Sequence, residues 1–198
     1  MQFDEFVSKC LAIAKIGKKF STDPYALENY EELEQLSSKM LSEVSGEEIS
    51  NIYCQDVYPT PSCSVRAVIF DDKHRLLMVQ EKQDLGYAVP GGWCEVFDSL
   101  RETVIKEVKQ ETGLTIKVNR LLAIFQRERY KDYPTMISEQ VHYFLAEIVE
   151  GDTRPNHEIV QVGFYELDAI PELSRKNSSR ELLTAIKIAE EDLEVFYD

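Results

Sequence analysis

Residues 99–114 read Ser99-Leu100-Arg101-Glu102-Thr103-Val104-Ile105-Lys106-Glu107-Val108-Lys109-Gln110-Glu111-Thr112-Gly113-Leu114 and carry helix signals at both ends. Ser99 with Glu102 three positions later forms a capping box, and Gly113 stands where a helix C-cap glycine belongs. The spacing predicts a helix over 99–112. Val104, Ile105 and Val108 make an apolar stripe that can face a sheet, while Glu107 and Glu111 lie one turn apart on a common face with Gln110 beside them. Two carboxylates so placed repel by about 0.2–0.5 kcal/mol in water. A hard divalent cation reverses that sign, because carboxylate oxygens are its preferred ligands. Glu-x-x-x-Glu is common on solvated helix faces and assigns nothing by itself. Its neighbours change the reading. Pro90-Gly91-Gly92 lies one short loop upstream, where glycines permit close backbone approach and let a carbonyl turn toward a cation. Asp98 closes that loop just before the cap.

Working outward, strands are expected on both sides of this helix. Ser64 to Phe70 is rich in β-branched and apolar residues, Asp71-Asp72-Lys73-His74 reads as a turn, and Leu76 to Val79 continues as a second strand; together they predict a hairpin. Tyr87-Ala88-Val89 is a brief strand before the glycines. Leu121–Arg127, Val141–Val149 and Gln161–Tyr165 read as further strands. A last helix is expected from about Ser178 toward Asp192, with Glu181 at the box position. Interleaved strands and helices give an α/β or α+β fold with a mixed sheet.

The first 56 residues have a different character. Phe3, Phe6, Val7, Cys10, Leu11 and Ala14 recur at helical spacing until Gly17 breaks the pattern. Asp23-Pro24 reads as an N-cap followed by proline at the first helical position. Leu27, Tyr30, Leu33, Leu36, Met40, Leu41 and Val44 then line one side, with Gly46 as the expected stop. Two short helices have no core of their own, so they pack on the rest of the chain or on a second copy, giving a homodimer. Tyr58-Pro59-Thr60-Pro61 is a stiff, extended break. It divides a helical region, 1–56, from a main domain, 57–198.

The chain has 198 residues, of which 43% are hydrophobic, enough for one ordinary domain with an appendage. Against 36 acidic residues stand 22 basic ones, a net charge of −14. That balance argues against a DNA partner, since nucleic-acid binding needs a basic stripe, and against docking on anionic membranes. Residues 1–55 hold five lysines and ten acidic residues, which suits DNA no better. The acidic amino terminus is unlike a secretory signal, and no apolar run has the length of a membrane span. Four cysteines without a C-x-x-C pair give no zinc knuckle and suit a reducing, cytoplasmic setting. An acidic protein that handles phosphates would most simply use a divalent metal to bridge the two negative partners.

Gly92, five residues, Asp98, seven residues, then Lys106 to Leu114 resembles the Nudix box over all of its 23 positions. The family pattern is Gly, five residues, Glu, seven residues, Arg-Glu, an apolar residue, any residue, Glu-Glu, any residue, Gly and an apolar residue. Asp98, Lys106 and Gln110 depart from it, replacing glutamate, arginine and glutamate. Lys106 keeps the charge without the bidentate fork, and Gln110 offers a neutral oxygen where the pattern has an anion. Val65–Phe70, Pro90–Trp93, and Glu158 ahead of Val162–Leu167 extend the resemblance. The two leading helices with Tyr58–Pro61 are similar to a bacterial subgroup that acts on X linked to a nucleoside diphosphate and includes CDP-choline and ADP-ribose pyrophosphatases.

The resemblance implies a Nudix-type α/β/α sandwich behind a small helical region, and metal-dependent hydrolysis of a pyrophosphate bond in a small nucleoside diphosphate derivative. CDP-choline is the first candidate substrate, with ADP-ribose or a nucleoside sugar as the alternative. It implies Mg²⁺ or Mn²⁺ held by Glu107, Gln110, Glu111 and the Gly91 or Gly92 carbonyl. The general base is Glu107 or a loop carboxylate; Glu158, in a polar stretch after Gly151, is preferred over Glu139. Arg66 and Arg127 are candidate phosphate contacts, and Trp93 a candidate stacking surface. His142 reads as a satisfied core histidine and Lys15, Lys18 and Lys19 as a solvated patch. A reading from another class is a ligand-binding regulator that keeps the fold without catalysis, and Gln110 is its support.

Overall fold

The computed structural model describes residues 3–45, 59–95, 97–131, 133 and 137–198. The chain divides into two compact units, one holding the N-terminal helices and residues 131–139, the other residues 63–130 and 140–198.

In the first unit, α1 (Phe3–Phe20) and α2 (Pro24–Ser45) pack as a helical hairpin. Asp23 caps α2 through its carboxylate, which accepts from the Ala26 N–H at 3.3 Å. Gly17 does not end α1 as expected. The helix runs through it, and a methyl group there would overlap the Tyr30 ring, so the glycine admits close contact with α2. Val7, Leu11, Ala14, Ser37 and Leu41 are buried, whereas Phe3, Phe6, Ile13, Leu36, Met40 and Val44 remain exposed on the single chain. Lys15 and Lys18 are not a solvated patch: both ammonium groups grip Glu34, at 3.4 and 2.8 Å. Gly46 and Tyr58 lie outside the described residues.

The second unit is built from β1 (Ser62–Ile69), β2 (Leu76–Glu81), β3 (Tyr87–Ala88), α3 (Leu100–Thr112), β4 (Thr115–Gln126), β5 (Glu139–Glu150), β6 (Ile159–Tyr165), α4 (Ser179–Glu190) and β7 (Phe196–Tyr197). The strands form two sheets, ordered β1-β5-β4-β7 and β3-β2-β6. Antiparallel β4–β5 pairing and parallel β4–β7 pairing make the first sheet mixed. The fold is therefore of the α/β type expected. The β1–β2 hairpin is not formed. One bridge, Phe70 to Leu76, joins the two segments, after which the strands enter different sheets. Asp71 shapes this corner by accepting from the Lys73 and Arg75 N–H groups and the Arg75 guanidinium.

Alternation along the strands feeds two cores. Val65, Ala67, Ile69, Leu77, Phe144 and Ala146 pack with Val104 and Val108 of α3. Val68, Leu76, Met78, Val141 and Tyr143 pack with Leu182, Ala185 and Ile186 of α4. Opposite-facing residues of the same strands thus meet different helices, which is what an α/β/α sandwich requires. β4 begins six residues earlier than expected. Ile116 and Val118 are buried and Lys117 is exposed, but register shifts at 118–120 and 121–123 break the alternation on which recognition depends.

Both ends of α3 are as its sequence dictates. Ser99 Oγ accepts from the Glu102 N–H, the Glu102 carboxylate accepts from the Ser99 N–H at 2.8 Å, and Gly113 is left-handed at φ 78°. α4 differs. Ser178 makes no cap with its side chain, donating instead to the Tyr130 carbonyl at 2.8 Å, and Glu181 is buried. Packing has overridden the local capping signal there. Ser99→Ala is expected to lower stability by about 1 kcal/mol, read as a shifted urea midpoint at unchanged slope.

Candidate active site

The site assembles where the loop before α3 meets that helix. Pro90 and Gly92 carbonyls accept from the Ala67 and Val65 N–H groups, both at 2.9 Å, so the glycine loop is paired to β1. Gly91 has φ 146°, and a side chain there would overlap the Val65 carbonyl. Its N–H donates to Glu111 Oε2 at 2.9 Å. Gly92 lies beneath Glu107, and a Cβ there would fall 2.5 Å from Glu107 Oε2. Glycine at both positions therefore lets the backbone close on two carboxylates of α3.

Glu111 is buried, at 3% exposure. Burial pushes its carboxyl up to about 7, although the Gly91 N–H and the Lys176 and Arg66 charges oppose the rise. Glu107 is displaced upward for the same first reason; Arg66, Lys106 and Lys176 oppose the shift, and the charge of Glu158 adds to it. Two carboxylates whose ionisation is disfavoured by burial call for positive charge. Among the described residues no three acidic, histidine or cysteine side chains converge into a ready metal cage. Glu107 and Glu111 nonetheless offer hard oxygen donors over a cradle that a Cβ would fill, and that donor chemistry fits a hard divalent cation. Gln110 is exposed on the same helix, one turn from Glu107.

Lys106 Nζ pairs with Glu95 at 2.7 Å and with Asp98 at 3.5 Å, tying the loop to α3. Glu158 is exposed just before β6, its backbone fixed by the Asn156 side chain and by Lys82, and its charge reaches Glu107. Trp93 is about half exposed beside the glycines and bridges to Ser64.

The two arginines stand otherwise than expected for open phosphate contacts. Both are buried. Arg66 donates to the Val65 carbonyl at 2.9 Å and to the Lys176 carbonyl at 3.4 Å, and Arg127 donates to the Arg175 and Lys176 carbonyls. They clamp the turn before α4. His142 is buried with Nδ1 3.1 Å from the Ser64 carbonyl, a satisfied core histidine as expected. Burial raises the Cys94 thiol, which holds it in its unreactive form.

Sequence reasoning missed Glu81 and Lys176. Lys176 Nζ is 2.7 Å from Glu81 Oε2, and both charges act on Glu111. They are 95 positions apart with no local pattern between them, so no sequence signal joined them.

The Nudix domain profile matches residues 61–186, the part that carries this site. The chain belongs to the Nudix hydrolase family. A second profile, the UDP-X-like N-terminal oligomerisation domain, matches residues 2–54. YjhB of Bacillus subtilis, provisionally named an ADP-ribose pyrophosphatase, is 32% identical over 92% of this chain and 89% of its own. The crystal structure of an ADP-ribose pyrophosphatase from Streptococcus suis shares 33% identity at a TM-score of 0.63, covering 70% of this chain and all of that one. That of a UDP-X diphosphatase shares 28% identity at a TM-score of 0.66, covering 99% of this chain and 98% of its own. This Nudix hydrolase is accordingly an enzyme of the pyrophosphatase class, and the reading as a non-catalytic regulator gives way. Among the described residues, no helix is long and apolar enough to cross a membrane.

The turn that carries Lys176 is anchored from below. Asp84 accepts from Ser174 Oγ at 2.9 Å and from the Arg175 and Gly86 N–H groups at 3.0 and 3.1 Å. Burial alone would raise this carboxyl, but the three donors outweigh it and hold it below the usual range. A depressed folded value means that its stabilisation is present at neutral pH and is lost as pH falls through that value. Asp84→Asn should cost about 1 kcal/mol at pH 7, a figure reduced for its exposure. In urea melts the gap from wild type should close toward the acid end.

Proposed function

We propose that this Nudix enzyme hydrolyses the pyrophosphate bond of a nucleoside diphosphate linked to X, releasing a nucleoside monophosphate and phospho-X. The observation that carries the reading is the pair of α3 carboxylates drawn over the glycine loop, Glu111 on the Gly91 N–H and Glu107 above Gly92. ADP-ribose is the first substrate to test, because two of the relatives bear that activity in their names. CDP-choline is the second.

Mg²⁺ or Mn²⁺, when bound, supplies the positive charge that offsets the phosphates and lowers the cost of forming hydroxide from water. Glu107 and Glu111 would hold it, with the Gly91 or Gly92 carbonyl and the Gln110 amide oxygen as neutral donors. The Gly92 carbonyl already accepts from Val65 and has one lone pair left for that role. A carboxylate oxygen of Glu158 takes the proton of the attacking water; its exposed loop position lets it reach in, and Glu107 is the alternative base. Trp93 offers a half-open ring for a base to stack upon. Residues 1–56 form a homodimerisation region and residues 57–198 the catalytic domain. Support for the dimer comes from the apolar side chains that α1 and α2 leave exposed, Phe3, Phe6, Ile13 and Leu36 among them.

A panel of ADP-ribose, CDP-choline and nucleoside triphosphates with Mg²⁺ or Mn²⁺, read by product identification, tests the substrate class. Turnover of triphosphates alone would overturn it. Glu111→Gln should lower kcat at least a hundredfold, since several kcal/mol of charge stabilisation are removed, with the far-ultraviolet spectrum unchanged. Leu36→Glu should shift the sedimentation coefficient from dimer to monomer; an unchanged value would remove this helix face from the interface.

A further inference from the structure

Lys176 lies in the turn before α4 and is fixed there by its own backbone. Its carbonyl accepts from Arg66 and Arg127, and its N–H donates to Ser174 Oγ at 3.2 Å. The side chain leaves this anchored turn and ends 2.7 Å from Glu81 Oε2. Glu81 closes β2 on the face it shares with Leu77 and Val79, and Leu77 packs in the α3 core. Across the β2–β6 ladder its partner is Ile159, the residue after Glu158. The Lys176 ammonium therefore stands beside Glu81. Arg66, which donates to the Lys176 carbonyl, lies against Gly91, whose N–H holds Glu111, so this turn adjoins the α3 carboxylates, and the Lys176 charge is felt at both.

Glu81 is almost fully covered, but the Lys176 side chain is 38% exposed. One of its three N–H donors suffices for Glu81, leaving others for a ligand. Arg66 and Arg127, by contrast, are buried and bonded to main-chain carbonyls. A diphosphate entering a site that carries carboxylates is held better when the protein supplies a cation beside any metal.

We propose that Lys176 is a substrate-binding residue of the pyrophosphatase site, its ammonium aimed by Glu81 at a phosphate oxygen of the nucleoside diphosphate. This inference rests on the pyrophosphatase reading above. Glu81 is a positioning residue: it fixes the head group of a long, flexible side chain before substrate arrives.

The competing account is that Lys176 only neutralises a buried Glu81. Steady-state kinetics of the full-length protein with ADP-ribose and CDP-choline separate the two. Lys176→Met should raise KM about tenfold or more while kcat changes less, and should flatten the rise of KM with ionic strength. Lys176→Arg should recover part of the loss. Lys176→Met leaves Glu81 buried without its ammonium, so the double variant Glu81→Gln with Lys176→Met is the deciding protein. A KM that stays raised there, with the melting temperature restored, supports the phosphate contact. A KM back within twofold of wild type overturns it, as does an unchanged KM in Lys176→Met itself. Glu111→Gln, run in parallel, keeps the two readings apart. If it is inactive while Lys176→Met is normal, Lys176 alone is wrong; if it is active, the carboxylate assignment is wrong and the Lys176 result stands by its own KM.

Discussion

A single hydrogen bond, from the Gly91 N–H to a buried carboxylate oxygen of Glu111, organises this enzyme. Taking a carboxylate out of water costs several kcal/mol unless donors or charge replace the solvent. Here one donor comes from a loop whose φ of 146° suits glycine, and that loop is itself paired to β1 through Val65 and Ala67. The same helix packs Val104 and Val108 against β1, so the apolar stripe and the glycine loop hold α3 at the same strand. Burial still holds the Glu111 carboxyl above its usual range despite that donor.

The opposite wall is set by a turn rather than by a regular element. Residues 174–177 are held from one side by Asp84 and from the other by Arg66 and Arg127, each of which donates to main-chain carbonyls of the turn. Beneath them Asn177 donates to the Tyr143 hydroxyl at 2.8 Å, and Tyr143 donates to Glu181 at 3.4 Å. Burial, followed by the nearby Glu181 charge, drives the Tyr143 hydroxyl far up and keeps it a donor. A polar network of this kind fixes one geometry, because each broken bond would strand a group away from water. In the same turn the Lys176 backbone is anchored by Arg66, Arg127 and Ser174.

The α3 segment is legible in its local sequence alone. A capping box, a C-cap glycine and a 3.6-residue stripe are local signals, and the structure keeps all three. The α2 start at Asp23-Pro24 was legible for the same reason. The corner at Asp71–Arg75 was read as a hairpin because a turn between two apolar runs has the same local chemistry whether the strands pair or part. The α4 cap is absent because Ser178 donates to the Tyr130 carbonyl and Glu181 is buried against the Tyr143 hydroxyl.

The sequence by itself determined the class of fold, the α3 helix and the pair of carboxylates it carries, since these are written in local patterns of residues. Tertiary structure alone decided where the cations near the site lie. Arg66 and Arg127, candidate phosphate contacts by sequence, are buried against main-chain carbonyls, whereas Lys176 is brought to Glu81 by packing between segments 95 positions apart. Charge acts through distance in space, and distance in space between remote segments is set by the core that folds them together.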